Sequence, residues 1–116
     1  MEILNAKITN ITLTMADHGC LTFYIFVEAG GLSGGIGGYC IGNGYLGAKE
    51  FSASGNGLEA MMRIMDVVGV DKWEDLKNKY CRVKYESLAK GFNEIGNIIN
   101  DKWFNLKDFF SSRVVE

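Results

Sequence analysis

The sequence predicts an α+β fold in which a small antiparallel sheet of about five or six strands packs on one main helix. Three observations lead to this prediction. Short stretches alternate apolar and polar residues with a period of two, one longer stretch has helical periodicity, and glycine is abundant while proline is absent. A chain of 116 residues can bury one core, so residues 1–116 are expected to form a single domain.

The composition limits the classes of function. Apolar residues make up 47% and charged residues 22% of the chain, which is ordinary for a soluble globular protein. No apolar run approaches the roughly 18 residues of a membrane span, and the N-terminus lacks the layout of a signal peptide. We therefore expect a cytosolic protein without a membrane partner. The net charge of −2 gives no long-range attraction to polymeric nucleic acid, so any phosphate must be bound locally.

Two strands are predicted at the start of the chain. The first runs from Ile3 to Met15, where apolar residues alternate with threonines. Ile8 falls out of phase with Ile11, which predicts a β-bulge between them. Asp17-His18-Gly19 predicts a turn, and the apolar run Cys20–Val27 predicts a second strand that pairs with the first as an antiparallel hairpin.

The stretch Gly30–Gly47 contains nine glycines in eighteen residues, with apolar residues between them. Its centre, GGIGGYCIG, predicts a third strand. The bare backbone either lets a neighbouring helix pack closely or forms a pocket wall that approaches a ligand, and both interpretations stay open. The stretch lacks the pattern of a phosphate loop, and Gly42–Gly47 satisfies GxGxxG without the required helix and βαβ context.

Asn56 to Val68 is the most clearly predicted helix. Asn56 is the expected N-cap, Glu59 completes a capping-box pattern, and Gly69 follows the last turn. The apolar arc of this helix spans more than half of its circumference and comprises Leu58, Ala60, Met61, Met62, Ile64, Met65, Val67 and Val68. One sheet covers only one stripe of a helix, so a subunit interface is the simplest second partner.

The second half of the chain alternates short elements. After a short connection around Lys49–Ser54 and the main helix, the pattern predicts a helical turn at Asp71–Lys77, strands at Tyr80–Glu86 and Glu94–Asn100, a loop at Ser87–Phe92, and an aromatic tail at Asp101–Phe110.

The sequence does not support catalysis. His18 is the only histidine, and its Asp-His-Gly context is typical of a turn rather than of a dyad. Cys20, Cys40 and Cys81 are widely spaced without a CxxC pair, so buried reduced thiols are expected and a metal site is not.

Some side chains have both a structural and a functional interpretation. Arg63 lies four residues after Glu59 and three before Asp66, which favours a surface ion pair, although an arginine on a largely apolar helix could also bind a phosphate. Trp103 and Phe104 fit core or interface packing, with base stacking as the functional alternative.

Several segments in order resemble one protein family. They are Asp17–Thr22, Gly37–Tyr39, Arg63–Val70, Trp73–Lys77, Arg82–Val83 and Ile95–Ile99, followed by Asp101, Trp103 and Phe104. In this order and spacing the chain, to about Phe104, resembles the small phage proteins of the Thoeris anti-defence 1 family. The family's WEDLKGK-like pattern has glycine where this chain has Asn78. This difference affects the geometry of the turn rather than the ligand.

The resemblance implies a sponge rather than an enzyme, with no cofactor and no metal. Such phage proteins capture the cyclic ADP-ribose isomer that a bacterial TIR-domain enzyme makes as an alarm signal, and they hold it intact between subunits of a homo-oligomer. They act in the host cell cytoplasm, and some members also hold cyclic oligonucleotides at separate sites. The alternative is a phage inhibitor that binds a host defence protein.

The resemblance also implies ligand-binding residues. Arg63 and Arg113 would contact phosphates, Asn97 the base or ribose, one of Phe92, Trp103 and Phe104 would stack on adenine, and Gly37, Gly38 and Tyr39 would form a backbone-lined wall.

Overall fold

The computed structural model describes residues 2–16, 19–44, 47 and 49–112. The strands in these residues are β1 (Glu2–Met15), β2 (Cys20–Ala29), β3 (Leu32–Gly37), β4 (Gly42–Asn43), β5 (Ser52–Ala53), β6 (Tyr80–Tyr85), β7 (Glu94–Gly96) and β8 (Trp103–Asn105). The helices are α1 (Gly55–Val68) and α2 (Leu106–Ser112), with a 3-10 turn at Trp73–Leu76.

The predicted α+β class with one main helix is confirmed, but the sheet has more strands than the five or six expected. In the described part of the chain, eight strands form one sheet in the order β5-β4-β2-β1-β6-β7-β8, and β3 also pairs with β2. The strand count was too low because β4, β5, β7 and β8 have only two or three residues each, too few to show a period of two.

The long first strand lies at the centre of the sheet. β1 pairs antiparallel with β2 from Lys7↔Glu28 to Met15↔Leu21, and with β6 on its other side. The register of the β1–β2 pair shifts between Ile8 and Asn10, so the predicted bulge and hairpin are confirmed. Asp17 and His18 of the predicted turn lie outside the described residues.

The core fills the space between the inner face of the sheet and α1. Phe23, Ile25 and Val27 of β2 are buried there, and so are short stretches of β6, β7 and β8. The buried residues of α1 are Gly57, Ala60, Ile64 and Val67. Leu58 and Met62 of the same helix are exposed by 65% and 69%, so the sheet covers only part of the apolar arc.

Helix α1 begins earlier than predicted. Ser54, rather than Asn56, is the N-cap, and its hydroxyl accepts a hydrogen bond from the Asn56 N–H at 3.2 Å. Glu59 therefore lies beyond the capping-box position. At the other end, Gly69 has a φ of 94° and donates its N–H to the Met65 carbonyl, which confirms the predicted C-terminal glycine.

The connection from the 3-10 turn to β6 passes through a left-handed residue. Asn78 has a φ of 72°, and its N–H donates to the Ile8 carbonyl at 2.7 Å. Asparagine tolerates this conformation better than most side chains, so Asn78 forms this turn without a glycine.

Within the described residues, neither helix has the length and apolar character needed to cross a bilayer.

Candidate functional site

The predicted third strand is interrupted by a wide bulge. Gly37 ends β3 opposite Tyr24, and Gly42 resumes the pairing opposite Leu21. Residues 38–41 between them lie outside the regular register, although Gly38 and Ile41 still donate their N–H groups to the carbonyls of Phe23 and Leu21. Gly37 and Gly38 have φ values of 125° and 88°. A Cβ on Gly37 would overlap the Phe23 carbonyl oxygen. Glycine is therefore required where the chain enters the bulge.

The bulge carries Tyr39 away from the sheet towards α2. Its ring stacks on Phe110, with centroids 4.4 Å apart and an interplanar angle of 17°. Burial raises the pKa of the Tyr39 hydroxyl, and the negative charge of Asp108 raises it further. Both effects extend the neutral form of the hydroxyl, which can donate a hydrogen bond, to higher pH.

Tyr39 lines one end of a groove with a volume of about 690 Å³. The loop between β6 and β7 forms one of its sides, and β8 with α2 forms the other. Its polar lining consists of Tyr39, Lys84, Glu86, Lys90, Asn93, Glu94, Asn105, Lys107 and Ser111. Three lysines and two glutamates leave the lining with a charge of about +1 in a chain whose net charge is −2.

Two ion pairs lie in the groove. Lys84 Nζ lies 3.1 Å from Glu94 Oε2 across the β6–β7 pair, and both side chains are largely buried. Lys90 Nζ lies 3.0 Å from Glu86 Oε2, and this hydrogen bond lowers the pKa of Glu86. The positive charge of Lys107 lowers it as well, so Lys107 lies close enough to act on the same carboxylate.

Trp103 adjoins the groove through Lys84. Its ring lies over Gly96, where a Cβ would overlap it. Lys84 Nζ is 4.6 Å and Arg82 Cζ 5.0 Å from the ring centroid, and the indole N–H donates to Asp101. The outer face of the sheet therefore presents a half-buried indole with two cations beside it.

Of the residues predicted to bind a ligand, only some lie at the groove. Tyr39 lines it, Gly37 and Gly38 position Tyr39, and Trp103 reaches it through Lys84. Phe92 and Phe104 are 6% and 8% exposed in the core, where Phe92 packs on Gly34 and Phe104 on Phe109. Arg113 lies outside the described residues.

Asn97 holds the turn between β7 and β8. Its side-chain oxygen accepts from the N–H groups of Ile99 and Asn100, and its side-chain nitrogen donates to the Val67 carbonyl at 2.8 Å. Its own carbonyl accepts from Arg82. The predicted strand Glu94–Asn100 consequently ends at Gly96.

Arg63 forms the surface ion pair that its spacing favours. Its guanidinium bonds Glu59 Oε2 at 2.8 Å, and the Arg63 side chain is 53% exposed. Its Cζ also lies 5.9 Å from the Phe109 ring centroid. Asp66 pairs with Lys102 rather than with Arg63.

The glycine-rich stretch is approached mainly by aromatic side chains of the same chain. Phe92 contacts Gly34, and Tyr24 and Phe26 contact Gly35. Gly34 and Gly35 also line a second groove of about 400 Å³. A close contact with the helix does occur, but with the roles reversed. The glycine is Gly57 of α1, and the side chain that packs against it is Ile41 of the glycine-rich stretch.

Sequence reasoning missed the lysines of the groove. Lys84 and Glu86 lie two residues apart in the predicted strand Tyr80–Glu86, which places them on one face, but the sequence does not indicate that Glu94 lies opposite Lys84. Lys90 and Lys107 carry no local pattern that separates them from solvated surface lysines.

Among the described residues, no three histidine, cysteine, aspartate or glutamate side chains are grouped to hold a metal ion. The predicted buried thiols are confirmed for Cys81 only, since Cys20 is half-buried and Cys40 is exposed. Comparisons with protein-family models, curated proteins and solved structures found no match.

Proposed function

We propose that this protein is a phage sponge that binds a cyclic ADP-ribose isomer in the host cytoplasm and holds it without cleaving it. Removal of this signal would suppress the host's TIR-based immunity. The groove beside Tyr39 and Trp103 carries the proposal, because it combines lysines with aromatic rings in an acidic chain. Cyclic oligonucleotides share this chemistry and are the second ligand class to test.

The size and charge of the groove fit such a ligand. A volume of about 690 Å³ lies within the range of small-molecule pockets. A cyclic ADP-ribose isomer has a pyrophosphate, which needs cationic donors, and an adenine, which needs a flat ring. Among the described residues, Lys107 has no carboxylate partner as close as those of Lys84 and Lys90. Asn93 and Asn105 supply amides for base or ribose.

Assembly is the second part of the proposal. Leu58 and Met62 lie one turn apart on the exposed side of α1. We infer that a second copy of the chain covers them, and that the ligand is held close to a subunit boundary. Arg63, on the same helix and half exposed, then remains a candidate for a phosphate contact.

The deciding experiment mixes the purified protein with cyclic ADP-ribose isomers, removes unbound ligand, and heats the complex to release what was bound. Recovery of unchanged isomer is expected. Recovery of ADP-ribose or another product would mean that the protein is an enzyme.

Two charge-matched variants test the groove. Lys107→Glu should weaken binding by about tenfold or more, because it replaces a phosphate-binding cation with an anion. Lys77→Glu makes the same charge change at an exposed position outside the groove and should leave the affinity nearly unchanged. Equal effects would move the ligand away from this groove.

The exposed apolar side chains of α1 also favour a second candidate, an inhibitor that binds a host defence protein. This candidate would lead if a host protein co-purified stoichiometrically and no cyclic nucleotide raised the melting temperature.

A further inference from the structure

Two of the three cysteines meet where the bulge rejoins the sheet. Cys20 begins β2 and pairs with Asn43 of β4, while Cys40 lies in the bulge, three residues before Asn43. Each sulfur lies 3.7 Å from the side-chain oxygen of Asn43. Interaction with the Cys40 thiol, and to a smaller extent burial, raises the pKa of Cys20.

We propose that Cys20 and Cys40 form a modification site, at which a small-molecule disulfide of the glutathione type oxidises the pair to a reversible intramolecular disulfide. The proposal stands on the shared acceptor, since both sulfurs lie 3.7 Å from the same oxygen atom, and on the access of both thiols to solvent. It does not depend on the ligand proposed above.

The reaction is two successive thiol–disulfide exchanges. The Cys40 thiolate, on the exposed side chain, attacks one sulfur of oxidised glutathione and releases one glutathione thiolate. The Cys20 thiolate then attacks the Cys40 sulfur of the mixed disulfide and releases the second. Two protein thiols are oxidised, one small disulfide is reduced to two thiols, and the two protein protons pass to the departing thiolates.

Cys81 is the internal control for this chemistry. It is fully buried, and burial raises the pKa of its thiol to about 12. It is therefore neither accessible nor ionised at neutral pH, whereas reaction requires a thiolate.

The new bond would close a loop that contains β2, β3 and most of the bulge. It would tie the residue after Tyr39 to the start of β2. Because a closed loop of this size restricts the unfolded chain, we expect the melting temperature of the oxidised protein to rise by about 10 °C. Reduction by dithiothreitol should reverse this rise.

The test treats the reduced, folded protein with oxidised glutathione, alkylates the remaining thiols after denaturation, and measures intact masses and peptides. Wild type is expected to lose two hydrogens, to link Cys20 to Cys40, and to keep one alkylated thiol at Cys81. Cys81→Ser should still close the disulfide. Cys20→Ser should stop at a glutathione adduct on Cys40.

The same reaction in urea separates folded geometry from chance encounter. Closure should be about tenfold faster, or more, in the folded protein, because the fold holds the two thiols together. A folded wild type that stays reduced, stops at the glutathione adduct, or closes no faster than the unfolded chain would overturn the proposal.

Discussion

At the scale of single residues, Thr22 is a buried polar side chain whose hydroxyl has no hydrogen-bond partner among the described residues. It is 3% exposed on β2. Valine has nearly the same shape without the desolvated hydroxyl, so Thr22→Val should raise the free energy of unfolding by about 1 kcal/mol. Urea denaturation followed by circular dichroism measures this change.

Thr14 is the matched control, because it lies directly opposite Thr22 in the β1–β2 pair but is exposed. Thr14→Val should change stability by less than about 0.5 kcal/mol. A loss of stability in Thr22→Val would contradict this prediction, because it would mean that the hydroxyl makes a stabilising hydrogen bond in the folded protein.

Cys81 makes stability depend on alkaline pH. Its thiol pKa is raised by burial from 9.0 to about 12, so the folded state favours the neutral thiol. The resulting stabilisation is complete below pH 9 and is lost as the pH rises towards 12, at about 1.4 kcal/mol per pH unit.

The measurement compares wild type with Cys81→Ala, because other titrating groups cancel in the difference. The cost of the substitution should be smaller by about 2 kcal/mol at about pH 10.5 than at about pH 8. A cost that is the same at both pH values would contradict the burial of a neutral thiol.

At the scale of elements, a side chain should be tolerated less well at Gly37, at the start of the bulge, than at a positive-φ glycine with open space around it. Gly31 also has a positive φ, 87°, but has open space around it. Gly31→Ala should therefore cost only the conformational strain, about 1–2 kcal/mol. Gly37→Ala adds overlap with the Phe23 carbonyl oxygen and should cost about 3 kcal/mol or more.

Thermal or urea unfolding of the two variants gives the comparison directly. Equal losses would mean that the bulge moves to accept a side chain at Gly37, and Tyr39 would then not be held by the backbone.

The elements that the sequence predicts well are those long enough to show a period. β1, β2, β6 and α1 were expected near their observed positions, and so was the bulge after Ile8. The cap of α1 was predicted at Asn56 because Glu59 follows it at the capping-box spacing, but serine is an equally good cap, and the hydrogen bond from Asn56 N–H to the Ser54 hydroxyl shows that Ser54 is the cap. The three-residue strands β7 and β8 are joined by the turn that Asn97 holds. The side chain of Asn97 is itself fixed by a hydrogen bond to the Val67 carbonyl of α1, a tertiary contact that no local sequence pattern predicts.

At the scale of the whole molecule, the groove was harder to predict than the sheet. Tyr39 was expected at a pocket wall, and it lines the groove. Lys84 and Glu94 form an ion pair only because β6 and β7 pair in one register. Lys107 joins them because α2 follows β8. Such groups are brought together by topology, which single-chain patterns of charge do not encode.

The exposed side of α1 leads to a prediction about assembly. Leu58 and Met62 are more than half exposed in the single chain, and lysine has a helix propensity close to that of leucine and methionine. The double variant Leu58→Lys, Met62→Lys should therefore keep its fold but lose the contact between copies. Light scattering coupled to gel filtration should show an oligomer for wild type and a monomer for the variant.

Ile99→Lys is the control for this experiment. Ile99 is 82% exposed in the turn between β7 and β8. The control therefore adds one positive charge, half of what the double variant adds, at an open apolar position away from α1, and it should leave the oligomer intact. A monomeric wild type, or a double variant of unchanged mass, would leave α1 without a second copy. The host-protein inhibitor would then be the better explanation of the apolar face, because a partner from another chain could still cover it.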